Sequence, residues 1–154
     1  MALPGRPRST YPSGIMAHPS PFWIYMLECD NGAYYTGYTT NLVRRFRQHI
    51  DGTANVRYTR SHRPVRIAQC WRLHDSVGCA LKVERLIKSG GRRFKERLVR
   101  DPSELGRMAA SKLGGDIDVA AFDPRTVERA ARALSADDVR TAADPFAAAL
   151  PTDP

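Results

Sequence analysis

The chain lacks long apolar runs, paired cysteines and a leader-like start, and each absence narrows what it can be. No apolar stretch approaches the ~20 residues that cross a bilayer, so no membrane partner is expected. Only three cysteines occur, Cys29, Cys70 and Cys79. None belongs to a Cys-x-x-Cys pair, and His18, His49, His62 and His74 form no ligand-spaced cluster with them, which argues against a zinc site. An odd, scattered set implies reduced thiols and a cytoplasmic location. Residues 1–20 carry Arg6 and Arg8 without an apolar segment behind them, unlike a secretory leader. Their richness in Pro, Ser and Gly predicts a disordered extension, with Met16 a second candidate start. Aromatic residues make up only 8% of the chain. There is no internal repeat, helix-hairpin-helix pattern or evident dimer seam.

What is present is positive charge, unevenly spread. The 154 residues suffice for one domain with a modest core. The formal net charge is +8. Residues 1–39 balance at zero, residues 40–107 carry about +11 and residues 108–154 about −3. A polycationic middle with interleaved aromatics points to a phosphate-backbone partner, though a merely solvated basic surface carries the same charge.

Phe22 to Glu28 is apolar and aromatic, as strands are. Asp30-Asn31-Gly32 suits a hairpin turn, because Asn-Gly supplies the positive φ angles needed there. Tyr34 to Thr39 reads as the returning strand, with Gly37 marking a bulge or a close backbone approach. Thr40 or Asn41 can cap a helix in which Leu42, Phe46 and Ile50 form a buried stripe, and Gly52 would stop it. A basic loop over residues 51–64 precedes a third strand, Val65 to Leu73. Ser76 caps a second helix to Lys88, Gly90-Gly91 ends it, and Arg92 to Val99 forms a third. Asp101-Pro102 closes the compact unit. Beyond Gly114-Gly115 the composition turns to Ala, Asp and Arg. Pro124 can open a helix with a thin apolar face of Val127, Ala130, Ala131 and Leu134. Ser135 and Asp138 suggest a capped helical stretch after it, and residues 150–154 read as unstructured.

Four features bear on chemistry. Tyr25 and Tyr35 lie on paired strands, so their phenols can be neighbours; a phenol can donate, accept or, with a lowered pKa, take a proton from water, but strands also use tyrosine as amphipathic filler. Arg45 and His49 stand at i and i+4 beside the apolar stripe. Arg45 would suit a developing phosphorane charge, while Arg44 and Arg47 fit a solvated helix face. Glu84 falls within the apolar stripe of the second helix. A carboxylate there needs a partner, either a divalent cation or an ion pair such as Lys88 at i+4. The loop Arg57-Tyr58-Thr59-Arg60-Ser61-His62-Arg63 repeats arginine every third residue, with an aromatic and hydroxyls between. That pattern suits phosphate contacts with base or sugar stacking and carries no base-reading code.

Together these residues resemble the GIY-YIG nuclease superfamily, in particular its small single-domain bacterial members. Trp23-Ile24-Tyr25 stands at the first motif, with Trp23 replacing the usual glycine. Tyr35-Thr36-Gly37 stands at the second. Asn41 to His49, Tyr58-Thr59-Arg60-Ser61 and Ala80 to Lys88 follow in register across roughly residues 21–100. The resemblance implies an α+β fold, a three-stranded antiparallel sheet flanked by helices. It implies endonucleolytic hydrolysis of a nucleic-acid phosphodiester with one divalent cation, Mg²⁺ or Mn²⁺. Tyr25 or Tyr35 would orient or deprotonate the attacking water, His49 would support it, Arg45 would stabilise the phosphate and Glu84 would hold the metal. Gly37 would be structural. Arg47, Arg57, Tyr58, Thr59, Arg60, Arg63 and Lys88 would contact nucleic acid, DNA in preference to RNA, with structured or damaged DNA and its repair as the setting. A module of the same fold that binds but turns over little is the alternative. The expected organisation is a disordered extension over 1–20, a nuclease domain over 21–105 and a loosely attached tail over 106–154 that could engage a protein partner.

Overall fold

The computed structural model describes residues 21–147; the expectations for residues 1–20 and 150–154 lie outside them. A four-stranded antiparallel sheet, with strands in the order 34–39, 22–29, 64–73 and 119–122, carries helices on both faces. β1 (Phe22–Cys29) is central, and its near-continuous apolar run is what burial on two faces requires. β2 (Tyr34–Thr39) returns beside it as an edge strand. The turn between them uses Gly32 at φ +80° and Asn31, whose Oδ1 accepts from the Ala33 amide at 3.1 Å. The register sets Tyr25 opposite Gly37 and Leu27 opposite Tyr35.

On one face lies α1 (Leu42–Asp51), capped by Asn41, whose side chain accepts from the Arg44 amide, and ended by Gly52 in the left-handed conformation. Leu42, Val43 and Phe46 pack there against Trp23, Tyr25 and Leu27. The stretch expected as a loop contains a single helical turn, α2 (Arg57–Ser61). β3 (Pro64–Leu73) follows on the other side of β1. The opposite face carries α3 (Val77–Ser89), α4 (Gly91–Arg100) and α5 (Glu104–Leu113) over Ile24, Met26 and Trp71. α3 buries Ala80, Val83, Glu84 and Ile87, whereas Val77 at its first turn is exposed.

The expected sheet of three strands is corrected to four. Gly114 and Gly115, both at positive φ, turn the chain back. β4 (Val119–Phe122) then pairs with β3 over Cys70–Leu73. α6 (Pro124–Ala133), capped by Asp123, buries Val127 and Ala131 completely against the α1 face. The segment beyond Ser135, expected as helix, forms turns. Long-range bonds fasten it and α6. Trp23 Nε1 donates to Asp144 Oδ2 at 2.7 Å, Asn41 Nδ2 to the Ala142 carbonyl, and the Ile67 amide to Glu128 Oε1. Phe146 meets Trp23 and Phe122 edge-on or tilted. Within the described part of the expected 106–154 tail, β4 therefore joins the sheet and α6 packs on its face. No helix among the described residues is long and apolar enough to cross a membrane.

Candidate active site

The site forms at the β2 edge, where the two faces of the sheet meet. Tyr25 projects from the central strand on the α1 side, directly opposite Gly37. A β-carbon on Gly37 would lie 2.6 Å from the Tyr25 hydroxyl. The bare glycine thus lets the phenol cross the edge strand. It emerges in an open cleft of about 450 Å³ lined by Tyr25, Tyr35, Gly37, Tyr38, Arg45 and Glu84, with Thr39 and Thr40 at its margin. Strand, first helix and third helix each contribute one reactive group type to this concavity: phenol, guanidinium and carboxylate.

A hydrogen-bond chain stands behind the Tyr25 phenol. Its hydroxyl is 3.1 Å from His49 Nε2, and His49 Nδ1 is 3.0 Å from the Thr59 hydroxyl. The Thr59 hydroxyl donates to the Val56 carbonyl at 3.4 Å. Its proton being so used, Thr59 accepts from His49 Nδ1–H, which leaves Nε2 as the acceptor for the Tyr25 proton. Burial, with the Arg45 cation second, lowers the His49 pKa to about 4, so the imidazole is neutral at physiological pH. Burial raises Tyr25 to about 12 against the opposing hydrogen bond from Arg45. Tyr25 is therefore a neutral phenol, not a standing phenolate.

Arg45 is half-buried and fixed by donation from Nη1 to the Ala54 carbonyl at 3.2 Å. Tyr35 sits diagonal to Tyr25, its ring centroid 6.3 Å from Tyr25 and 5.5 Å from His49. Tyr58 stacks on the outer side of this group, nearly parallel to Tyr35 at 6.3 Å, and accepts a hydrogen bond from Asn31 Nδ2. Glu84 is 8% exposed, and its Oε1 accepts from Lys88 Nζ. No cluster of three metal-ligating side chains exists among the described residues. The donor set instead fits a hard cation such as Mg²⁺, which takes one carboxylate and fills its shell with water and phosphate oxygens.

The expected nucleic-acid residues fall into four groups. Arg57, Arg60 and Arg63 are exposed, as is Tyr58. Thr59, by contrast, is buried and bonded to His49. Arg47 is held between α1 and α6, with Nε on Asp51 and Nη1 on the Ala131 and Leu134 carbonyls at 3.2 and 2.6 Å. Lys88 is engaged by Glu84 at the cleft. The sequence reading overlooked Tyr38 and the Thr39-Thr40 pair. Their signal was position alone, next after the glycine over which Tyr25 passes.

The GIY-YIG catalytic domain family matches residues 21–97. A UPF0213 protein of Natronomonas pharaonis is 43% identical over 79 residues, 51% of this chain and 91% of the relative. One from Halalkalibacterium halodurans is 40% identical over 77 residues, 50% of this chain and 80% of its own length. A third, from Cupriavidus necator, is 41% identical over 73 residues, 47% and 77% of the two chains. No solved structure matches at comparable significance.

Proposed function

The chain belongs to the GIY-YIG catalytic-domain family, and from that premise we propose that it is a divalent-cation-dependent endonuclease acting on structured or damaged DNA. The observation that carries this reading is the convergence of Tyr25, Tyr35, Arg45 and Glu84 on one open cleft at the sheet edge. The cleft is open to solvent, so a phosphate backbone can reach its floor.

In this mechanism Tyr25 is the general base by relay. It takes a proton from the attacking water while passing its own to His49 Nε2, so no phenolate has to form first. Thr59 keeps His49 in the tautomer that can receive it. The low basicity of His49 has two causes, burial and the Arg45 cation; a phosphate bound to Arg45 offsets the second. Arg45, preoriented by the Ala54 carbonyl, meets the charge growing on the phosphorus oxygens. Tyr35 and Tyr38 wall the cleft and orient the water and the sugar. Glu84 would hold the cation, which when bound supplies Lewis-acid polarisation and stabilises the leaving oxygen.

A second reading, a module that binds nucleic acid with little turnover, is favoured by one observation: Lys88 already satisfies Glu84. One assay tests both. Labelled branched, nicked, single-stranded and plain duplex DNA, and the RNA equivalents, are incubated with the protein in Mg²⁺, Mn²⁺ or EDTA. Cation-dependent cutting of branched or nicked DNA is expected. Binding without cutting under every condition supports the second reading instead.

A further inference from the structure

Helix α4 is the most basic element outside the cleft. Residues 85–100 contain seven basic side chains, Arg85, Lys88, Arg92, Arg93, Lys95, Arg97 and Arg100, against the single carboxylate Glu96. Glu96 is taken by Arg92, and Arg97 pairs with Glu104 of α5. The Arg93 and Arg100 side chains have no hydrogen-bond or ion-pair partner among the described residues and are exposed.

Arg93, Arg97 and Arg100, together with Glu96 that Arg92 already engages, line a groove of about 510 Å³ between Gly90 and Arg100. Its floor is the ring of Phe94, 5% exposed, with the Arg97 guanidinium 5.3 Å above the centroid. The floor depends on Gly90, where a β-carbon would fall 2.1 Å from Phe94 Cδ1. Arg93 and Arg100 stand seven residues apart, about 10.5 Å along the helix axis. That spans about three backbone charges of a strand at ~3.4 Å each.

The groove is joined to the cleft by cations. Lys88 reaches Glu84 in the cleft, and burial first, with the Lys88 charge second, lowers the Lys95 pKa. Lys95 and Arg92 in turn pin α4 to the hairpin, donating to the carbonyls of Tyr34 at 3.3 Å and Gly32 at 2.9 Å. Lys88, Arg92 and Arg97 have carboxylate partners, whereas Arg93 and Arg100 have none and keep their charge for an external polyanion.

We propose that the α4 groove of Arg93, Arg97 and Arg100 is a second nucleic-acid contact, gripping the phosphate backbone of a strand that leaves the cleft past Lys88. The proposal rests on the nuclease reading and adds to it a substrate long enough to engage two basic surfaces, the 57–63 segment and α4.

The test uses the full chain with Arg93→Ala and Arg100→Ala combined. Fluorescence anisotropy follows labelled 20-nucleotide single strands and a branched duplex across a salt series. At low salt the double variant should bind at least tenfold more weakly, and its log–log salt slope should shrink by about 1.4–1.8, since each lost phosphate contact removes ~0.7–0.9. Its thermal midpoint and its cleavage rate at saturating DNA should match the wild type. An unchanged slope beside normal wild-type binding overturns the α4 proposal alone. A wild type that binds no nucleic acid overturns both it and the nuclease reading. Polyglutamate captured by the wild type but not the variant, with DNA binding unaltered, overturns it in favour of an acidic protein partner.

Discussion

The Tyr25 hydroxyl occupies the space a side chain on Gly37 would need, 2.6 Å from the place of its β-carbon. The glycine is thus required by clearance, and the clearance is what lets a central-strand phenol reach an edge cleft. Gly37→Ala should leave the sheet folded, because the conflict is with the tip of one side chain. It should swing Tyr25 off His49 and lower cleavage at least a hundredfold with nucleic-acid affinity little changed. A variant that cleaves at the native rate would separate Tyr25 from the chemistry.

Thr59→Val keeps the shape of the buried side chain and deletes the acceptor for His49 Nδ1–H. A hydrogen bond of this kind contributes about 0.5–1.5 kcal/mol, so kcat should fall about three- to tenfold without a change in DNA affinity. The sequence reading, which placed Thr59 on nucleic acid, predicts the reverse pattern. Measuring kcat beside Kd decides between them.

The titrations of the relay carry a sign. The folded-state pKa of His49, about 4, lies below its ordinary 6.5, so the unfolded chain binds more protons between those values. This group therefore adds stability at and above pH 6.5 that is lost as the pH falls toward 4. Tyr25, at about 12, favours the folded state up to pH 10 and loses that contribution as the pH rises to 12. NMR titration should find the His49 ring neutral at pH 6. The wild type should lose more thermal stability than His49→Gln between pH 7 and pH 5. A midpoint near 6.5 would refute the buried, neutral imidazole.

Glu84 and Lys88 set up a competition. Lys88→Met frees the carboxylate and should tighten Mn²⁺ binding about two- to tenfold by isothermal titration, whereas Glu84→Gln should abolish both Mn²⁺ binding and cleavage while remaining folded. Equal Mn²⁺ affinity in wild type and Glu84→Gln would remove Glu84 as the ligand.

The hairpin, the two capped helices and the anomaly of Glu84 were legible because each is a local statement. Asn31-Gly32 specifies a turn, Asn41 and Ser76 specify caps, and a carboxylate among apolar residues at helical spacing marks itself. The inward hydroxyl of Thr59 was not legible, because the arginines on both sides make the segment look wholly solvent-facing. Only the arrival of His49 from another element turns that residue inward. β4 was missed for a similar reason. Four residues, Val-Ala-Ala-Phe, form a strand only where the free edge of β3 awaits them, and that edge lies about fifty residues earlier in the chain.

That edge makes the C-terminal segment testable as part of the fold. Ending the chain at Leu113 removes β4, α6 and the strap. It uncovers Trp23, Cys70 and Ile67 on the α1 face and strips Arg47 of the Ala131 and Leu134 carbonyls. Exposing one fully buried Val or Phe-sized group costs about 1.5–3 kcal/mol, and several are lost together with a strand's ladder bonds. At about 2–4 °C per kcal/mol for a chain of this size, the melting temperature should fall by more than ten degrees, with cleavage lost because α1 carries Arg45 and His49. Val127→Asp, which places one charge in the same core, should act in the same direction by a smaller step. The truncated chain retaining both its melting temperature and its activity would show that α6 and β4 merely rest on a domain complete without them.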